Sequence, residues 1–509
     1  MPQQFDRLKE RLATIQHLHS ANALLSWDQQ TYMPSGGAVA RAGQMSTLGS
    51  IAHELFISND TAKLLGAADA EVGGLPPESD EASLVRVARR DFDKACKVPV
   101  ELVVEMTEHA VTSHQVWVRA RADSDFGAFA PYLERTVELS RRMAEYLGYV
   151  DEIYDALLDQ FEPGVKTATV ARIFGDLKPQ LVDLVASISQ REEQVSDALL
   201  HQPFDEAAQE TFGKMIATRL GYDFNRGRQD RTVHPFATSF SRNDVRITTR
   251  FEPNFLNAAL FGTMHETGHA LYEQNVGESL EGSLLADGAS MGMHESQSRL
   301  WENVVGRSLG FWSHYYAQLQ DVFPQLAGVN LDSFYRAINK VQPSAIRVEA
   351  DEVTYNLHIM IRFEMEREML EGVYPTGEAP EVWKDKMESY LGVRPSSDRE
   401  GILQDVHWSG GMLGYFPTYA LGNVLSVQIY EAAVQANPSI PDQMERGDTS
   451  GLLAWLTEHI YRYGRKFEPA DLIERATGQP LHPEPYVRYL KNKFGAIYGL
   501  GDRELETAR

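Results

Sequence analysis

The stretch 264-MHETGHALYEQ-274 sets two histidines four residues apart, with a glutamate directly after the first. The pattern around it, from Pro253 to Gly277, predicts a helix: Leu256, Leu260 and Met264 recur every four residues, Pro253 suits a start and Gly277 an end. On a helix His265 and His269 project from one face about 6 Å apart along the axis, so both imidazoles can reach one zinc ion. Glu266 is turned about 100° away and can approach a water at the metal without being a ligand. Two satisfied histidines on a core helix are the plain alternative, and the pattern arises by chance in about one chain in thirty of this size.

A catalytic zinc takes three protein ligands and keeps one position open. Glu273 lies about 12 Å from His265 along the same axis, too far to converge with it on bonds of about 2 Å. The third ligand therefore comes from another element. Downstream, 291-MGMHESQSRLWENVVG-306 opens a second amphipathic helix, and its Glu295 follows His269 by 26 residues. That gap accommodates the end of the first helix, a loop through Gly277, Gly282 and Gly288, and a return of the chain. Glu302, two turns on, and His294 compete for the same role.

Composition narrows the field further. The chain has 509 residues, is 43% hydrophobic and 24% charged, and can bury a large core. Its single cysteine, Cys96, excludes an intramolecular disulfide and a thiolate metal site, so any metal must be held by His, Asp or Glu. A cytoplasmic location fits that usage. The opening MPQQFDRLKERLATIQHLHS mixes charges with apolar residues and has no secretory core, and no run of 18 apolar residues suits a membrane span. A formal charge of −24 disfavours nucleic acid as a partner.

Helical periodicity dominates the rest of the chain, as in 100-VELVVEMTEHAVTSHQVWVRAR-121 and 351-DEVTYNLHIMIRFEMEREMLEG-372, the latter stopped by Gly372 and Pro375. The exception is 234-HPFATSFSRNDVRITTRF-251. Two runs rich in Phe, Thr, Val and Ile flank Ser-Arg-Asn-Asp there and predict a β-hairpin just before the histidines. A loop is expected at 71-EVGGLPPESDE-81. The pattern as a whole predicts a mainly α-helical protein with one small β-sheet beside the candidate site.

Six blocks occur in order: 234-HPF-236, 244-DVRIT-248, 265-HETGH-269, 294-HES-296, 346-IRVEAD-351 and 401-GILQDVHW-408. Together they resemble the signature set of the Taq-type metallocarboxypeptidase family, the thermostable carboxypeptidase 1 type. The likeness extends to 28-DQQTYMPSGGAVARAGQ-44 and 489-YLKNKFGAIYGL-500, hence over essentially the whole chain, with Gly43 where a glutamate is more usual. The resemblance implies a large helical peptidase fold similar to neurolysin and angiotensin-converting enzyme, with a deep cleft. Residues 1–509 would form one catalytic domain, 1–75 as an N-terminal helical lid subregion and 76–509 as the main body. It further implies a homodimer that removes single C-terminal residues from peptides with broad specificity, using zinc that cobalt can replace.

Chemistry explains the conjunction. Zinc lowers the pKa of water from about 15.7 to near 7, which is worth roughly 12 kcal/mol at 1.36 kcal/mol per unit. With His265, His269 and Glu295 as ligands, Glu266 would act as general base, a role worth about 10²–10⁴-fold. By analogy with the related clefts, Tyr415 or Tyr419 would donate to the oxyanion. An exopeptidase also needs a cation for the terminal carboxylate, and an arginine fork suits it. The resemblance favours Arg347, with His407 as a second contact and Arg246 as the rival, while the hairpin holding His234 could pair with the peptide main chain. Two other readings stay open: an oligopeptidase of the same architecture, and a helical scaffold protein without catalysis.

Overall fold

A computed structural model of the chain describes residues 3–501. The chain folds as two compact units, each assembled from three segments of the sequence. Unit 1 comprises Met1–Cys96, Ala198–Ile338 and Ile429–Gln479; unit 2 comprises Lys97–Asp197, Asn339–Gln428 and Pro480–Arg509.

Unit 1 begins with the helices Gln3–Thr31, Ala38–Phe56, Asn59–Val72 and Asp80–Lys97. The expected Pro/Gly-rich break falls between the last two. Phe5, Leu8, Leu12 and Ile15 recur every three or four residues and are buried, which is why the first helix has one apolar face. The first three of these join Leu65, Ala68, Leu84 and Phe92 in a core that also takes in Val276, Leu280 and Leu285. Those last three residues follow the histidine helix, so the N-terminal helices hold the chain between the two helices that carry the candidate ligands.

The hairpin is present as antiparallel strands β2 (Ala237–Ser241) and β3 (Asp244–Thr249), with a register shift between Ser239 and Ser241. A strand not expected from the sequence, β1 (Gly227–Arg231), pairs parallel to β3, giving the order β1-β3-β2. Its sequence GRQDR has no apolar alternation, and pairing with the buried centre of the sheet decides its conformation. Val245 and Ile247 of β3 are fully buried, and the strand packs on the histidine helix, Leu256–Gln274.

The glutamate-bearing helix runs Met291–Arg299, capped by Ser290, whose hydroxyl accepts from the Met293 N–H at 3.0 Å. Its expected continuation to Gly306 is a π-helical turn, Leu300–Val305, closed by the Gly306 N–H donating to the Trp301 carbonyl. Such turns reorient side chains late in a helix.

Unit 2 includes the helices Val100–Asp123, Phe126–Leu147, Thr167–Ser189 and Tyr355–Glu371. The last ends at Gly372 with φ 72°, the left-handed conformation expected of that stop. It is buried nearly all round despite its charges, because they are partnered: Arg362 donates to Asp405 at 2.6 Å, and Glu366 accepts from the Tyr154 hydroxyl at 2.6 Å and the Trp408 indole at 2.8 Å. No helix of the described residues is long and apolar enough to cross a membrane.

Candidate active site

Helix geometry brings the His265 and His269 rings to 5.0 Å between centroids. The helix Met291–Arg299 crosses beside them at Gly268, where a Cβ would lie 2.6 Å from both the Gln297 carbonyl oxygen and the Ser298 Cα. Only glycine permits that approach. It delivers one Glu295 oxygen to 3.5 Å from Nε2 of His265 and 3.5 Å from Nε2 of His269. Bonds of about 2.0–2.1 Å at a tetrahedral angle separate ligand atoms by about 3.3 Å, close to both Glu295–imidazole distances, and all three ligand atoms lie within 4.8 Å of one another, as a metal-binding group requires.

Around the triad the charges are arranged in pairs. Nδ1 of His265 is 2.9 Å from Oε2 of Glu302, a carboxylate that also accepts from Arg299 at 3.3 Å and Arg307 at 3.2 Å. Nδ1 of His269 is 2.8 Å from Nδ1 of His294, whose Nε2 is 2.7 Å from Oε1 of Glu273. Burial would raise the Glu295 carboxyl, yet Arg299 and the two imidazoles outweigh it and hold it well below the usual carboxylate range. Burial likewise opposes ionisation of Glu302, but Arg299, His265 and Arg307 bring it down to about 2. Burial lowers His269 to about 4, keeping its imidazole neutral and able to offer a lone pair.

Glu266 stands apart. It is buried, its Oε2 has no hydrogen-bond partner among the described residues, and burial, reinforced by Glu295 and Glu302, pushes its carboxyl up to about 7. A carboxyl poised there exchanges protons readily at neutral pH.

The other residues named from the sequence lie in two places. Within unit 1, Arg246 on β3 grips Asp244 at 2.8 and 2.9 Å and stacks 4.3 Å from the Trp27 ring centroid, while His234 is exposed before β2. Within unit 2, Arg347, His407, Tyr415 and Tyr419 form one cluster. The Arg347 guanidinium donates to Asp405 at 3.0 and 2.6 Å and to the Tyr355 hydroxyl at 2.8 Å. Nε2 of His407 is 3.3 Å from the Tyr419 hydroxyl, and the Tyr415 and Tyr419 rings are 5.2 Å apart.

Some residues emerge only from the structure. Arg299 and Arg307 frame Glu302, and Arg362, fully buried, shares Asp405 with Arg347 by donating at 2.6 Å. Asp405 sits inside the block 401-GILQDVHW-408, and an arginine at a core-facing helix position signals a buried carboxylate partner.

Comparison with known proteins places the whole chain in a family. The profile of the carboxypeptidase Taq (M32) metallopeptidase family matches residues 7–494. Carboxypeptidase 1 of Bacillus subtilis is 39% identical over 97% of this chain and 98% of its own. Thermostable carboxypeptidase 1 of Thermus thermophilus is also 39% identical, over 95% and 96%. Among solved structures, the M32 carboxypeptidase of Deinococcus radiodurans R1 superposes with a TM-score of 0.95 at 44% identity, covering 98% of this chain and 100% of that one. Pyrococcus furiosus carboxypeptidase gives 0.93 at 36%, over 96% and 99%. With the family profile spanning nearly the whole sequence and the helical fold shared end to end, this chain belongs to the carboxypeptidase Taq (M32) family and is a metallocarboxypeptidase.

Proposed function

We propose that the divalent metal is zinc, held by Nε2 of His265, Nε2 of His269 and a carboxylate oxygen of Glu295, and that the enzyme releases single C-terminal residues from peptides with broad specificity. The observation that carries this reading is the single Glu295 oxygen equidistant from both imidazoles, 3.5 Å from each, beside Glu266, whose Oε2 has no hydrogen-bond partner among the described residues. When bound, zinc supplies Lewis acidity to the scissile carbonyl and lowers the pKa of water from about 15.7 to about 7.

The protein's own groups do the rest. Glu266 takes the proton of the attacking water and hands it to the leaving amine, a role open to a buried carboxyl whose Oε2 has no hydrogen-bond partner among the described residues. Glu302 fixes the His265 ring with Nδ1 as donor, leaving Nε2 free to ligate. Tyr415 or Tyr419 would donate to the oxyanion. For main-chain recognition, the segment through His234 leads into β2, which is an edge strand, and main-chain pairing there would read no side chains.

The terminal carboxylate needs an arginine, and either candidate must exchange an existing partner. Arg347 shares Asp405 with Arg362 in a buried cluster, where removing a partner costs about 3–5 kcal/mol. Arg246 holds Asp244, whose side chain is 43% exposed, in the class of pairs worth about 0–1 kcal/mol. Exchange is therefore cheaper at Arg246, the rival anchor; His407 is the second contact only where Arg347 is the anchor. The same proposal includes a single catalytic domain, a lid formed by residues 1–75, a homodimer, a cytoplasmic location and replacement of zinc by cobalt.

Mass spectrometry of products from one peptide and its C-terminally amidated twin tests the exopeptidase reading. Single-residue release from the free peptide alone is expected, with the preference reduced in whichever of Arg246→Lys and Arg347→Lys removes the anchor. Equal rates on both peptides, with internal fragments, would instead make it an oligopeptidase.

A further inference from the structure

The two histidines of the metal site are supported unequally. Behind His265 stands a carboxylate, Glu302, in direct contact. Behind His269 stands another imidazole, His294, and only beyond that a carboxylate, Glu273. We propose that His294 is a positioning residue that relays the negative charge of Glu273 to His269 and so fixes the tautomer His269 needs to bind metal. This rests on His269 being a ligand.

The relay requires one set of tautomers. A carboxylate only accepts, so Nε2 of His294, 2.7 Å from Glu273, carries a hydrogen. In a neutral imidazole the other nitrogen is then bare, so Nδ1 of His294 accepts. Two ring nitrogens 2.8 Å apart share one hydrogen, and with Nε2 of His269 engaged as a ligand and His294 neutral it sits on Nδ1 of His269. That leaves the lone pair of His269 on Nε2, the atom facing Glu295. Glu273, though about 12 Å from His265 along the helix axis, thereby governs the site without touching a cation.

The seat for the His294 ring is built for this role. Gly288 lies against it so closely that a Cβ would meet His294 Cδ2 at 2.6 Å and the Tyr272 ring at 3.3 Å. The Tyr272 ring forms another wall, 5.2 Å away between centroids, and its hydroxyl accepts from the Ala289 N–H. Glu273 itself is buried. One alternative uses the same atoms: Glu273, His294 and the exposed Asp287 also offer three ligand atoms within 4.8 Å of one another. A cation there would need Nε2 of His294 without its hydrogen, so the two arrangements exclude each other.

Zinc affinity of the purified full-length protein, measured by competition with a chelator, distinguishes them. His294→Phe fills the slot without a nitrogen and is expected to weaken zinc binding about 10–100-fold, as loss of a group behind a ligand does. Glu273→Gln keeps the volume and an acceptor, and should fall between that variant and wild type. The melting temperature of each metal-free variant reports whether it is folded; if His294→Phe is not, Glu273→Gln decides. In the cobalt-substituted protein, proton NMR should show two exchangeable, strongly shifted N–H signals, one per histidine ligand, and Glu273→Gln should broaden or speed the exchange of only one. Wild-type zinc affinity and an unchanged pair of signals in a folded variant would overturn the relay. So would two zinc equivalents in wild type with one lost in Glu273→Gln. By contrast, zinc affinity untouched by His265→Ala would overturn the underlying ligand assignment and not the relay alone.

Discussion

Nδ1 of His265 and Oε2 of Glu302 are 2.9 Å apart, and the same carboxylate takes Arg299 and Arg307 from its other sides. Glu302 is therefore the counter-ion of the site's rear wall, and with its pKa brought down to about 2 by Arg299, His265 and Arg307 it is charged at neutral pH. Glu302→Ala should weaken zinc binding about 10–100-fold and leave two arginines without that partner. Chelator competition and calorimetry measure both; wild-type zinc affinity would show that Glu302 does not orient His265.

Glu266→Gln keeps the size of the side chain and does not alter the three ligands. Zinc content should stay at the wild-type level while turnover falls about 10²–10⁴-fold. Metal analysis together with steady-state peptide hydrolysis makes the test, and normal turnover would remove Glu266 from the mechanism.

Gly268 is where the two ligand-bearing helices meet, with no room for a Cβ against the backbone of Gln297 and Ser298. Gly268→Ala should push the helix Met291–Arg299 outward, costing about 1–3 kcal/mol as overpacking does, and draw Glu295 away from the imidazoles. A lower thermal midpoint with weaker zinc binding is expected. Unchanged values of both would mean the helices can part without consequence.

Asp405 lies between Arg347 and Arg362 in unit 2. Burial by itself would raise its carboxyl, but the two guanidiniums hold it far below the usual range. A depressed folded-state value means that its stabilisation is complete above the unfolded value of about 3.9 and is lost as pH falls through that value toward the folded one. Asp405→Asn leaves two buried cations uncompensated and should cost about 3–5 kcal/mol near neutral pH. The gap in thermal midpoint between variant and wild type should then narrow below about pH 4; a gap constant with pH would refute the linkage.

What could be read from the chain alone was local. The four-residue spacing of His265 and His269 is enough to put both on one helical face, because helix geometry depends only on near neighbours. The stop at Gly372 and the Ser-Arg-Asn-Asp turn are legible for the same reason, and the resemblance of six ordered blocks added the family. The periodic pattern also ran the second helix on to Gly306, whereas tertiary packing converts its end into a π turn that presents Glu302 to His265.

The rest was decided by partners far apart in sequence. Glu295 and Glu302 are equally acidic on paper, and only the crossing at Gly268 sends the first to the Nε2 atoms and the second to an Nδ1. Strand β1 and the buried Arg362 carry no periodic signal, since each owes its position to a neighbour: β3 for the strand, Asp405 for the arginine. A buried charge is stable only beside its counter-charge, and where that counter-charge sits is a property of the folded chain and not of any window along it.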